Sequence, residues 1–141
     1  MNSQHDKLEL NLARLARRVP ELGLDSLAPH EQVALLAYSA HGTVTNGGFK
    51  DFYAGSIPLS RLVAALRELK LNALANAALA TATSFPTPDL VDDVAARRDH
   101  LEGLDTGKQD YAFFRFSTEE LLDAIAKYWK RVGTQQPQRE T

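Results

Sequence analysis

Apolar residues recur along the chain at helical rather than strand spacing. Leu8, Leu12, Leu15 and Val19 fall at i, i+4, i+7 and i+11, which puts them on one face of a helix. Arg14, Arg17 and Arg18 lie near its C-terminal end, where the helix dipole favours cations, and Pro20 is expected to end it. Pro29 suits the first turn of a second helix that turns Val33, Leu36 and Ala40 inward and runs to about Val44. Leu62, Leu66 and Leu69 mark a further helical face, and the Ala-rich residues 72–82 suit a closely packed helix. Beyond Phe85, Thr87 can cap and Pro88 can start a helix carrying Leu90, Val94 and Leu101 inward. Ser117 and Glu120 have the spacing of a capping box, with Phe116 and Leu121 at the staple positions. The helix they open carries Leu121, Ile125, Tyr128, Trp129 and Val132 as its inward stripe. Residues 111–116 are the one candidate strand.

The sharpest backbone signal is Thr45-Asn46-Gly47-Gly48-Phe49. Asn and Gly both tolerate positive φ, so a chain reversal or a helix C-cap is expected there. Phe49, Phe52 and Tyr53 follow at i, i+3 and i+4, which is consistent with a short helix and with Phe49 plugging the core. The alternative for this turn is functional, with exposed backbone N–H groups and the Asn46 amide binding a partner or an anion. No repeat, linker or second hydrophobic unit is apparent. The expected fold is all-α: one compact domain of about six helices over residues 1–133, with a Gly-Gly turn, a short aromatic segment near 111–116, and a disordered polar tail over 134–141.

Composition narrows the function. The chain has 141 residues, 44% of them hydrophobic, and no cysteine, which removes disulfides, thiolate catalysis and cysteine-bound metal. No apolar run approaches the length of a membrane span, and residues 1–7 lack the apolar core of a signal peptide, so a cytoplasmic protein is expected. The net charge of −2 argues against direct nucleic-acid binding. Its distribution says more. Residues 86–124 hold ten acids against four bases, a local charge of −6, while residues 1–19 carry +2 and residues 125–141 carry +3. The acids are Asp89, Asp92, Asp93, Asp99, Glu102, Asp105, Asp110, Glu119, Glu120 and Asp123. Some sit where helix N-termini favour carboxylates, and Asp93 and Arg97 have the spacing of an i,i+4 ion pair. As a group they are a candidate face for a basic partner.

Signals for an enzyme are weak. His30-Glu31 begins a zinc-binding H-E-x-x-H, but Ala34 stands where the second histidine is required. Gly42-x4-Gly47 imitates a phosphate loop until Gly48 and Phe49 replace the required Lys and Ser/Thr. No serine lies in a nucleophile-elbow context. No metal, cofactor or catalytic residue is therefore expected.

The helix ending near His41, followed by Val44-Thr45-Asn46-Gly47-Gly48-Phe49-x-x-Phe52-Tyr53, resembles the bacterial DNA-mimic protein family, whose hallmark is a V-N-N-G-G-F-x-x-F-F-like segment. The resemblance covers roughly residues 25–130 and departs at Thr45, where the family commonly has Asn. It implies a compact all-α protein that is not an enzyme and is often dimeric. Its acidic surface would stand in for duplex DNA on the DNA-binding face of a transcriptional regulator. On that reading the acids between Asp89 and Asp123 would mimic phosphates, whereas Asn46, Gly47, Gly48, Phe49, Phe52 and Tyr53 would be a structural signature. A continuous helix from Asp89 to Asp105 would span about 24 Å. Duplex DNA of that length carries about 14 negative charges, against a net −4 for this stretch, which a homodimer would double. Two other readings remain open. One is an immunity- or antitoxin-like protein that occludes a toxin surface. The other is a small-ligand binder or enzyme with a site around His41, Asn46 and Tyr53.

Overall fold

The computed structural model describes residues 3–135, with side chains through Val132. Seven α-helices follow one another: α1 Ser3–Leu22, α2 Pro29–Ala54, α3 Leu59–Glu68, α4 Asn72–Ala80, α5 Val94–Arg97, α6 Gly107–Arg115 and α7 Thr118–Gln135. Short 3-10 turns link several of them, and no strand occurs among the described residues. Helix α2 is the axis. The other six helices all lie in the arrangement it organises, with α1, α3, α5, α6 and α7 packed directly on it.

The predicted faces are the buried ones. Leu8, Leu12 and Leu15 bury α1 against α2 and α7, and Val19 is half-buried. His5 extends that face and donates from Nε2 to Asp123 of α7 at 2.7 Å. Leu121, Ile125 and Tyr128 are buried on α7, and Trp129 donates its indole N–H to the His30 carbonyl at 3.0 Å. The capping box forms in both directions, Glu120 N–H to Ser117 Oγ at 3.0 Å and Ser117 N–H to Glu120 Oε1 at 3.2 Å. On α4, Ala75 and Ala78 are fully buried, and the absence of bulk lets α3 and α6 pack closely.

Several boundaries differ from the sequence reading. Pro20 does not end α1, which continues to Leu22 with the proline inside its last turn. Gly23, at φ 82, terminates it by donating to the Val19 carbonyl at 2.8 Å. Helix α7 runs through Gly133 to Gln135, so the first two residues of the expected tail are helical, and the remaining residues 136–141 lie outside the described residues. Residues 111–116 are not a strand. A single strand in a helical chain would leave its backbone N–H and C=O groups without partners, and α6 satisfies them internally. Phe113 is its fully buried anchor, while Tyr111 and Phe114 point outward. Residues 88–103 are not one helix but a 3-10 turn, the four-residue α5 and a second 3-10 turn. Thr87 makes no side-chain cap there. Asp93 caps α5 instead, accepting the Ala96 N–H at 3.1 Å.

The Gly-Gly segment is neither a reversal nor a C-cap. Helix α2 continues through it, broken at Gly48, whose φ of 79 and ψ of 179 lie in a region essentially restricted to glycine. The break frees the N–H of Phe49, which donates to Asp110 Oδ1 of α6 at 2.8 Å. Thr106 Oγ1 donates to the same carboxylate at 3.1 Å. A Cβ on Gly48 would lie 2.6 Å from Asp110 Oδ2, and one on Gly47 would overlap the Asp51 carboxylate. Two glycines thus make room for two carboxylates at the start of the half-helix 49–54, where its dipole favours them. Phe49 is fully buried beyond the break, with Phe113 edge-on at 5.1 Å between ring centroids and Phe52 and Tyr53 alongside.

The two glycines should respond differently to substitution. Gly48→Ala should destabilise the fold by about 2–3 kcal/mol, because alanine meets both the backbone restriction and Asp110. Gly47→Ala should cost far less, since Gly47 is helical and the exposed Asp51 side chain can swing away. Urea unfolding of the two variants measures the difference, and equal losses would contradict this account.

Candidate protein-interaction surface

The half-helix 49–54 is held at its far end as well. Arg97 of α5 is fully buried and makes no ion pair, although the Asp92 carboxylate is near enough to favour its charge. Its guanidinium donates to the carbonyls of Tyr53 at 3.0 Å, Val91 at 2.6 Å and Gly55 at 3.1 Å, and lies 5.1 Å above the Tyr53 ring. Arg98 adds bonds to the carbonyls of Ala54 at 3.2 Å and Gly55 at 3.1 Å. These are the carbonyls left without helical partners at the end of α2, where the dipole is negative. Burial lowers the Arg97 pKa, but a guanidinium with this many acceptors stays charged. The expected Asp93–Arg97 ion pair does not form, since Asp93 caps α5 and Arg97 points inward.

This anchoring decides what residues 88–105 present. Both arginines of the segment bond to backbone carbonyls of the 53–55 corner, Arg98 from an exposed position, and neither pairs with a carboxylate among the described residues. Asp89, Asp92, Asp93, Asp99, Glu102 and Asp105 are all exposed. Asp92 also accepts the Ser60 N–H at 2.9 Å, which ties the segment to the start of α3. The remaining four acids of the sequence reading are placed elsewhere. Asp110 is half-buried and bonded to Phe49 and Thr106. Glu119, Glu120 and Asp123 lie on α7. Glu120 and Asp123 line a shallow hollow that also holds Lys70, Lys127 and Arg131, so their surroundings are of mixed charge. The most acidic stretch is therefore residues 89–105, at a net −4 with Arg97 buried and Arg98 exposed.

The residues of the small-ligand reading do not converge. His41 is buried and its Nε2–H donates to the carbonyls of Phe116 at 2.6 Å and Phe113 at 3.1 Å. Tyr53 is fully buried against Thr81. Thr81 donates its own hydroxyl hydrogen to the Ala78 carbonyl, so the phenol must be the donor between the two. Asn46, by contrast, is exposed. No cluster of three metal-ligating side chains occurs among the described residues, and none of their helices is long and apolar enough to cross a membrane. The residue that sequence reasoning missed is Arg97, counted only as a surface charge. Its one sequence signal is position: in Val94-Ala-Ala-Arg97 it ends an apolar run just before a second arginine.

An all-α domain threaded on a glycine-broken helix, with an acidic segment pinned to the end of that helix, defines the class of protein. Residues 25–134 match the sequence profile of the family described as DMP19-like protein, and the chain belongs to that family. No curated protein and no solved structure matches significantly.

Two predictions follow from the buried arginine and its aromatic neighbour. Arg97→Met should destabilise the fold by about 3–5 kcal/mol, because it strands several buried carbonyls. Arg98→Met should cost under about 1 kcal/mol, since water can replace an exposed guanidinium. Urea unfolding of both tests the ranking. Burial, opposed in part by Arg97, pushes the Tyr53 pKa from 10 up to about 12. The neutral phenol is the folded form, so its stabilisation is intact below pH 10 and lost as pH rises towards 12. Unfolding free energies measured across that window should fall less steeply for Tyr53→Phe than for the natural chain.

Proposed function

We propose that this protein is a non-enzymatic interaction module that presents the acidic segment 89–105 to a basic protein surface, such as the DNA-binding face of a transcriptional regulator. Membership of the DMP19-like family is consistent with that DNA-mimic role. The observation that carries the reading is the direction of Arg97 and Arg98. By bonding to backbone carbonyls at the end of α2, they form no ion pair with the six exposed carboxylates of this short segment, although Asp92 lies within electrostatic reach of Arg97. Like charges held so close together repel one another, and a basic partner relieves that repulsion. The compact turns of 88–103 also crowd the charges into a shorter span than a loop would. A homodimer would present the segment twice.

The best residues for a test are Asp99, Glu102 and Asp105, whose carboxylates make no bond to the rest of the fold, unlike Asp92 and Asp93. A regulator captured from the native host on the immobilised chain can be titrated by fluorescence anisotropy between 50 and 300 mM salt (ordinary assay conditions, roughly spanning the screening range). Affinity should fall steeply with salt, and DNA should compete with the chain. Asp99→Asn with Glu102→Gln and Asp105→Asn should weaken binding about tenfold and flatten the salt dependence, in line with a loss of about 1.4 kcal/mol. Salt-independent binding, or a triple variant that binds like the natural chain, would refute the proposal.

A further inference from the structure

Helices α1 and α2 do not close on each other along their full length. Leu8, Leu12 and Leu15 bring them together, but to one side of that stripe small residues line the space between them: Ala13 and Ala16 on α1, and Ser39, Gly42 and Thr43 on α2. What remains is a groove made of two adjoining hollows of about 320 and 390 Å³, which share Ala16, Leu35, Ser39 and Thr43. One end is walled by Val19, Pro20, Leu24, Phe52 and Ile57, and the other reaches Asn46. Asp51 is the one charged residue in the lining, and its carboxylate makes no ion pair among the described residues.

The groove is joined to the acidic segment. Gly55 lines it, and the Gly55 carbonyl is the acceptor of Arg97 and Arg98. Asp92 fixes the loop that follows, through the Ser60 N–H. The 53–60 corner therefore forms one end of the groove and the mount of residues 88–105. A trough between two helices, apolar at the Val19–Phe52 end and lined by Ser39, Thr43 and Asn46 towards the other, can accept the apolar strip of a third helix. Asp51, the one charge in its lining, favours a basic helix there, although Arg14, Arg17 and Arg18 are exposed elsewhere on α1.

We propose that this groove seats the apolar strip of a basic amphipathic helix of the partner, with Asp51 meeting a lysine or arginine on that helix. This rests on the reading of residues 89–105 as the partner-facing segment and adds an apolar anchor to it. Acidic residues alone attract many basic proteins; an adjoining trough of fixed length admits only those with a matching helix.

The test uses the full chain and a fluorescein-labelled 15-residue helical peptide (a length of about four turns) with leucines at i, i+3, i+4 and i+7 and lysines elsewhere. A counterpart has glutamate for every lysine. Ser39→Trp fills the trough from an exposed position, and Gly42→Leu fills it from a site where a Cβ meets open space. Each should weaken binding of the lysine peptide about tenfold with helical circular dichroism and salt dependence unchanged, and Asp51→Asn should weaken it about threefold. The glutamate peptide should not bind. Natural affinity in both filled variants overturns the proposal, as does equal binding of the glutamate peptide. Sedimentation of the chain alone is the further arm: a self-associated species that Ser39→Trp dissociates would make a second copy the occupant and overturn it too. The triple variant Asp99→Asn, Glu102→Gln, Asp105→Asn separates the two readings. If it loses salt dependence while the filled variants bind normally, the groove inference falls and the acidic reading stands. If the filled variants weaken binding and the triple variant does not, the acidic reading falls and the groove is a docking site in its own right.

Discussion

A broken helix in the middle of a protein exposes backbone groups that water cannot reach, and those groups must find partners within the fold. Here the N–H of Phe49, released by the break at Gly48, is taken by Asp110, and the carbonyls of residues 53–55 are taken by Arg97 and Arg98. A carboxylate stands at the positive end of the half-helix 49–54 and two guanidiniums at its negative end, so charge and dipole agree at both. The remaining architecture is arranged around that pair of requirements. Helix α6 must approach α2 at Gly48 for Asp110 to reach, which brings Phe113 onto Phe49. Helix α5 must approach the other end for Arg97 to enter, which turns the chain between 88 and 103 into short tight elements instead of one long helix.

The parts legible in the sequence are those fixed by period and by local chemistry. The stripe on α7 and the box formed by Ser117 and Glu120 are read from residues three or four apart, whose geometry depends on nothing distant. The stripe on α1 is as plain. What was not legible depends on residues far apart in sequence. A pair of glycines after a helix is compatible with a stop, a reversal or a break, and only Asp110, more than sixty residues later, decides for the break. Arg97 looked like a surface ion-pair partner because Asp93 stands one turn before it. Its burial is set by carbonyls over forty residues upstream. The candidate strand at 111–116 failed for the same reason: Phe113 is the buried anchor of that segment, and what it anchors to lies on α2.

The acidic region shows how a charge count and a charged surface differ. Ten carboxylates between Asp89 and Asp123 serve at least three purposes. Asp110 completes a helix start, Glu120 caps α7, and Asp123 holds His5 and hence α1. Those placed on residues 89–105 are exposed, and the cations that would have neutralised them on paper are occupied with backbone carbonyls. Under the proposed function this arrangement would give recognition of a basic surface its sign, and the trough beside it would give it a shape.

Helix α1 precedes the family-matched region, which begins at residue 25, yet it supplies one wall of the trough through Ala16, Val19 and Pro20. The hollow is thus composite: its floor belongs to the helix on which the whole domain depends, and its wall to a segment attached by one apolar stripe, the His5–Asp123 bond and the bond from Tyr38 to Glu9. Floor and wall are free to change at different rates. Substitutions at Ala13, Ala16 or Pro20 can therefore reshape the trough without touching the broken helix and its clamps.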